Sequence, residues 1–217
     1  MQTVLPDLYA SSPTPLSFAP STHVRAFVLR RQEGNLLIYS TPAVADEAAA
    51  IEALGGVARH YLNHWHEAML GGADRIAAAF GAPVFCHADD RQEAAKKVEI
   101  AETFAQRHMV GDDLEAIPIP GHTPGATAYL WQSDGHRCLF TGDSLWLREG
   151  EWVAAVLESS DRDAYVESLG LLRDLDFDVL VPWAATAGQP FHAVIDRADA
   201  RRRVDAIIER LRRGGDR

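Results

Sequence analysis

The stretch Pro118-Ile119-Pro120-Gly121-His122-Thr123-Pro124-Gly125 decides how this chain is read. It lies between two apolar runs, Leu114 to Ile119 and Ala126 to Gln132, and so reads as a loop joining two strands. Two Pro-Gly steps hold the backbone tightly around one histidine and restrict where its ring can point. Downstream, Phe140-Thr141-Gly142-Asp143-Ser144 ends a strand predicted from Arg137 to Thr141 with a Gly-Asp step. Upstream, Asn63-His64-Trp65-His66-Glu67-Ala68-Met69-Leu70-Gly71-Gly72 follows a strand predicted from Val57 to Leu62. Two histidines at i and i+2 of an extended segment project to the same side. Neutral imidazoles suit Zn²⁺ and similar ions, so the pair is able to grip one metal. Each loop alone has a plainer reading: a rigid turn, an Asp capping a turn, two exposed side chains.

Outward from these loops the chain reads as a mixture of hairpins and strand–helix alternation. His23 to Arg30 and Asn35 to Ser40 form a hairpin around Gln32-Glu33-Gly34, and Ala45 to Leu54 is a helix stopped by Gly55-Gly56. Further helices are expected at Ala73 to Phe80, Asp89 to Val98 and Arg162 to Leu172, with strands at Pro83 to Cys86 and Val179 to Val181. Near the end, Val204, Ile207, Ile208 and Leu211 form the apolar stripe of an amphipathic helix. The opening through Pro20 is expected to lie extended across the surface. The class is α/β (α+β), with residues 1–217 in a single domain.

Composition narrows the function. The 217 residues are 47% hydrophobic and 24% charged, ordinary globular values that argue against disorder. A formal net charge of −10 disfavours nucleic-acid binding. Eight arginines between Asp196 and Arg217 read as a solvated helix face with mixed charge pairs. No apolar run approaches the roughly 18 residues of a membrane helix, and no secretory signal pattern opens the chain, so the expected location is cytoplasmic. Cys86 and Cys138 read as small core residues.

Taken together, the three loops resemble those of the metallo-β-lactamase-fold hydrolases, particularly the branch resembling glyoxalase II. The similarity runs over roughly Val24 to Thr186. It implies a four-layer αββα sandwich of two mixed sheets with a metal site at one edge. The family's first motif is His-x-His-x-Asp-His. His64 and His66 match its first two histidines, whereas Ala68 stands at the Asp and Met69 at the last His. His122 and Asp143 match the next His and the acid shared by two metals. Ala184, in Val181-Pro182-Trp183-Ala184-Ala185, stands where a final His is expected. The resemblance therefore implies one complete metal site, His64, His66, His122 and Asp143, beside a second that has lost every private ligand. Alanine offers no donor, and a Met thioether is a poor ligand for a hard or borderline ion.

The expected cofactor is one divalent ion, zinc first, with iron or manganese as alternatives. Asp143 is the expected catalytic residue. Such a site supplies hydroxide near neutral pH for a small ester, thioester, lactone or amide. Glu67 and His87 are candidates to replace the missing water-orienting Asp. Glu67 is expected to point away from His66 in an extended loop, and His87 reads more readily as a surface-loop residue. Thr123 lies beside His122, and Met69 and Trp183, with Ala68 and Ala184, are expected to wall the vacated half-site. His192 is not expected to take the place of the missing ligand at Ala184, and His23, His60, His108 and His136 match no motif. The competing function is a non-catalytic domain that binds a small ligand or partner. Neither reading fixes the oligomeric state.

Overall fold

Burial explains why the chain opens as structure. In the computed structural model, which describes residues 1–215, Leu8 and Ala10 have no solvent exposure. They belong to Leu8–Ala10, which pairs antiparallel with Phe27–Leu29 on one side and Gln2–Leu5 on the other. The opening is thus part of a sheet, where the sequence suggests an extended surface segment. Its alternation of apolar and small residues is too short to stand out, and the pairing is supplied by residues twenty positions away.

Contacts divide the chain into two compact units, Met1–Ala105 and Gln106–Arg217. The first holds a seven-stranded mixed sheet in the order Gln2–Leu5, Leu8–Ala10, Phe27–Leu29, Leu36–Ile38, Arg59–Tyr61, Val84–His87, Ile100–Phe104. The hairpin around Gly34 is present, with Val28 opposite Leu37, and from Leu36–Ile38 onward the strands run parallel. His23 to Arg30, expected as one strand, divides. Ala19–Val24 pairs with Thr14–Leu16, while Phe27–Leu29 enters the large sheet. The break falls at Arg25, whose guanidinium donates to the Ser11 carbonyl. The helix expected over Ala45 to Leu54 starts earlier, at Pro42, and is interrupted at Glu47 into Pro42–Asp46 and Ala48–Ala53. Asp89 to Val98 contains only one turn of 3-10 helix, Ala88–Asp90, and a short helix, Arg91–Ala94.

The second unit carries a six-stranded sheet in the order His108–Val110, Leu114–Pro118, Thr127–Ser133, His136–Phe140, Val179–Val181, Ala193–Val194. Only the pairing of His136–Phe140 with Val179–Val181 is parallel among these. Trp146–Arg148 pairs antiparallel with Glu151–Val153 and parallel with Ala184–Thr186. Two helices cover the unit's core. Arg162–Asp174 buries Tyr165, Ser168, Leu169 and Leu172, and Asp161 caps it by accepting from the Asp163 and Ala164 amides at 3.0 Å. Arg197–Arg212, capped by Asp196, buries Ala200 and the expected stripe Val204, Ile207, Ile208 and Leu211. Three of its arginines form the ion pairs that the mixed-charge reading expects: Arg202 and Arg203 with Asp199, Arg201 with Asp174. Asp216 and Arg217 lie outside the described residues. Among the described residues, no helix is long and apolar enough to cross a membrane.

Candidate metal centre

The first unit supplies two imidazoles from a helix start. His64 is extended (φ −155°, ψ 163°) and stands at the position just before the helix Trp65–Leu70, without a capping side-chain hydrogen bond, so His66 is the second helical residue. This corrects the extended loop read from sequence. The helix begins here because its orphan amides find acceptors. The Trp65 amide donates to Asp90 Oδ2 at 2.9 Å, and Glu67 in the first turn complements the helix dipole. It ends at Gly71, whose amide donates to the Glu67 carbonyl at 2.7 Å. A Cβ on Gly71 would stand 2.5 Å from Ser40 Cβ and the Ser40 carbonyl, so this end of the helix rests directly on the strand-end backbone. The His64 and His66 rings lie 5.1 Å apart, centre to centre, at an interplanar angle of 80°.

The helical turn also moves Glu67. Expected to point away, it instead lies on the His64 side, i+3 along the helix, fully buried. Its Oε1 is 3.2 Å from His64 Nδ1, and both oxygens accept from the Asn63 amide at 3.3 Å. The Asn63 Oδ1 is 3.0 Å from the same imidazole nitrogen.

The second unit supplies an imidazole and a carboxylate. Gly121 has φ +142°, and a Cβ there would stand 2.5 Å from Tyr165 Cα. Only glycine lets the loop lie this close to the helix Arg162–Asp174. The Gly121 carbonyl accepts from the Asp161 amide at 2.9 Å, the His122 carbonyl from Ser160 Oγ at 3.2 Å, and the Pro120 carbonyl from Ser168 Oγ at 2.7 Å. His122 Nδ1 donates to the Ala155 carbonyl at 2.7 Å, which leaves the Nε2 lone pair facing Asp143 Oδ2 at 3.5 Å. Asp143 is itself held through its backbone. Its carbonyl accepts from Tyr165 Oη at 2.9 Å and from the Ala155 amide at 3.0 Å. Thr123 is buried and closes the loop through its carbonyl, which accepts from the Gly121 amide at 3.1 Å.

The remaining candidates separate. His87 is buried at the end of its strand, which corrects the surface-loop reading. Its Nδ1 accepts from the Asp89 amide at 3.2 Å and its Nε2 faces the Ala105 carbonyl at 3.3 Å, so both ring nitrogens are occupied and neither lone pair serves a metal. Ala68 packs into the first unit's own core with Leu62, Ala73, Val84 and Cys86, whereas Met69 is exposed. Trp183 and Ala184 are buried in the second unit. His192 stacks edge-on against Phe191. Asn63, Tyr165 and Asp90 support the candidate ligands and escape a motif search. The one available signal was local: a polar residue before a turn carrying Glu at i+3 of His64 marks a helix start.

The family description metallo-beta-lactamase superfamily matches residues 64–184, more than half of the chain, and the chain belongs to that superfamily. The matched stretch begins at His64 and ends at Ala184. Curated relatives include the hydroxyacylglutathione hydrolase of Anaeromyxobacter dehalogenans (strain 2CP-C), 33% identical over 48% of this chain and 40% of that protein. The hydroxyacylglutathione hydrolase of Pseudomonas entomophila (strain L48) is 36% identical over 39% of this chain and 32% of that protein. The chain thus matches less than half the length of these relatives. Among solved structures, the metallo-beta-lactamase from Pontibacter korlensis superposes with a TM-score of 0.75 at 18% identity, covering 97% of both chains. The fold is the metallo-β-lactamase fold that the three loops imply.

Proposed function

We propose that this chain is a single-metal hydrolase of a small thioester or ester, lactones and amides being the related substrates, and that His64, His66, His122 and Asp143 hold its one divalent ion. The observation that carries this reading is the donor set. Each of the four offers one ligand atom, and these atoms all lie within 4.8 Å of one another. Three imidazoles and one carboxylate suit zinc first, and also iron or manganese. Bound there, such an ion supplies Lewis acidity, polarising a carbonyl and lowering the pKa of water from about 16 toward about 7.

The chain's own residues prepare that chemistry. Donation of His122 Nδ1–H to Ala155 presents Nε2, and the Tyr165 hydroxyl with the Ala155 amide fixes the backbone that carries Asp143. Ala68, Met69 and Ala184 leave no private ligands for a second ion, which supports a count of one. Similarity to hydroxyacylglutathione hydrolases supports acylated thiols as the first substrates to try. A cytoplasmic location fits Cys86 and Cys138, both free and buried.

The test is hydrolysis of a hydroxyacyl thioester of glutathione by the full chain, after chelation and after adding back Zn²⁺. Hydrolysis lost on chelation, restored by zinc and absent in His66→Ala is expected. A metal-loaded chain inactive on thioesters, esters, lactones and amides would instead establish the competing non-catalytic reading, with which the loss of the second ion's private ligands is also compatible.

A further inference from the structure

Glu67 remains outside the chemistry described so far. Its carboxylate has no solvent exposure, a costly position for an acid unless hydrogen bonds and nearby positive charge hold it. Both oxygens sit 3.3 Å from the Asn63 amide, and Oε1 lies 3.2 Å from His64 Nδ1. An ionised carboxylate only accepts hydrogen bonds, so an imidazole nitrogen that faces it must carry the hydrogen. Asn63 Oδ1, 3.0 Å from the same nitrogen, is unable to make that choice alone. Half a turn of its amide presents NH₂ in place of the oxygen.

We propose that Glu67 is a positioning residue of the metal centre: with Asn63 it locks His64 in the Nδ1–H form and turns the Nε2 lone pair toward the ion. The inference rests on His64 being a ligand, as proposed above. It gives the buried acid a role in orienting a ligand and sets it apart from a general base, since both its oxygens are anchored at the helix start. The fixed, acceptor-only partner also raises the basicity of the ligating nitrogen.

The test measures Zn²⁺ affinity by competition with a chromophoric chelator for the full chain, Glu67→Ala and Glu67→Gln. Glu67→Ala is expected to weaken binding by about 10–100-fold, the usual effect of losing an outer-shell partner. Glu67→Gln, which keeps an acceptor oxygen, is expected to recover at least part of that loss. A folded Glu67→Ala chain that binds zinc as tightly as the parent overturns the proposal. A parent chain that takes up none of Zn²⁺, Fe²⁺ and Mn²⁺ overturns the metal centre itself, a different outcome. Nitrogen-15 NMR of the metal-free parent at pH 8 gives a readout independent of any variant. The Nδ1–H form of His64 is expected, and the Nε2–H form overturns the proposal.

Discussion

Replacing Gly121 with alanine is expected to cost stability through two separable effects. The position has φ +142°, and a new Cβ would meet Tyr165 Cα at 2.5 Å, Cβ at 2.6 Å and Cγ at 2.8 Å. Two of these are the root of a residue on the capped helix Arg162–Asp174, so no flexible side-chain end is available to yield. Backbone strain contributes about 1–2 kcal/mol and overpacking about 1–3 kcal/mol, together about 2–5 kcal/mol. For a chain of this size that corresponds to a fall in Tm of roughly 4–20 °C. Gly135 is the control. It also has a positive φ, +79°, but nothing lies within 4 Å of its Cβ position, so Gly135→Ala carries backbone strain alone. Urea denaturation of the metal-free proteins measures both. Gly121→Ala should lose about 1–3 kcal/mol more than Gly135→Ala, the overpacking share. Equal losses would refute the reasoning that the His122 loop is pressed against the helix.

His60, fully buried, has its pKa lowered to about 4, chiefly by desolvation. The unfolded chain protonates this group near pH 6.5 and the folded chain only near 4. Stability is therefore present above 6.5 and is lost as the pH falls through that window, by up to about 3 kcal/mol. Denaturation from pH 7.5 to 4 should show a shallower slope for His60→Gln than for the parent, and identical slopes would contradict the assignment. Burial pushes the Cys86 and Cys138 thiols up to about 12, so neither should react with a thiol reagent at pH 8 until the chain unfolds. Rapid labelling of either thiol in the folded protein would count against that burial.

What the sequence made legible was whatever local chemistry dictates. The Pro-Gly turns around His122, the Gly-Asp step at Asp143 and the apolar stripe from Val204 to Leu211 each carry their own signal within a few residues. The helix at Trp65–Leu70 was hidden because a His-x-His pair after a strand suits an extended loop equally well. Helix formation there depends on Asp90, twenty-five residues away, accepting from the Trp65 amide. The same dependence misplaced Glu67, whose direction changes with the backbone period from two to 3.6. His87 looked like a loop residue because nothing nearby indicates that its ring folds back to serve the Asp89 amide and the Ala105 carbonyl. The strands at Leu8–Ala10 and Ala184–Thr186 are three residues long, and pairing with distant partners creates them rather than propensity.

The proposed single-ion centre is tested most directly by metal analysis of the purified full chain alongside His66→Ala and His122→Ala. One zinc, iron or manganese ion per chain, lost in both variants while they remain folded, is the expected result. Two ions per chain, or none after incubation with Zn²⁺, Fe²⁺ and Mn²⁺ in turn, would contradict it.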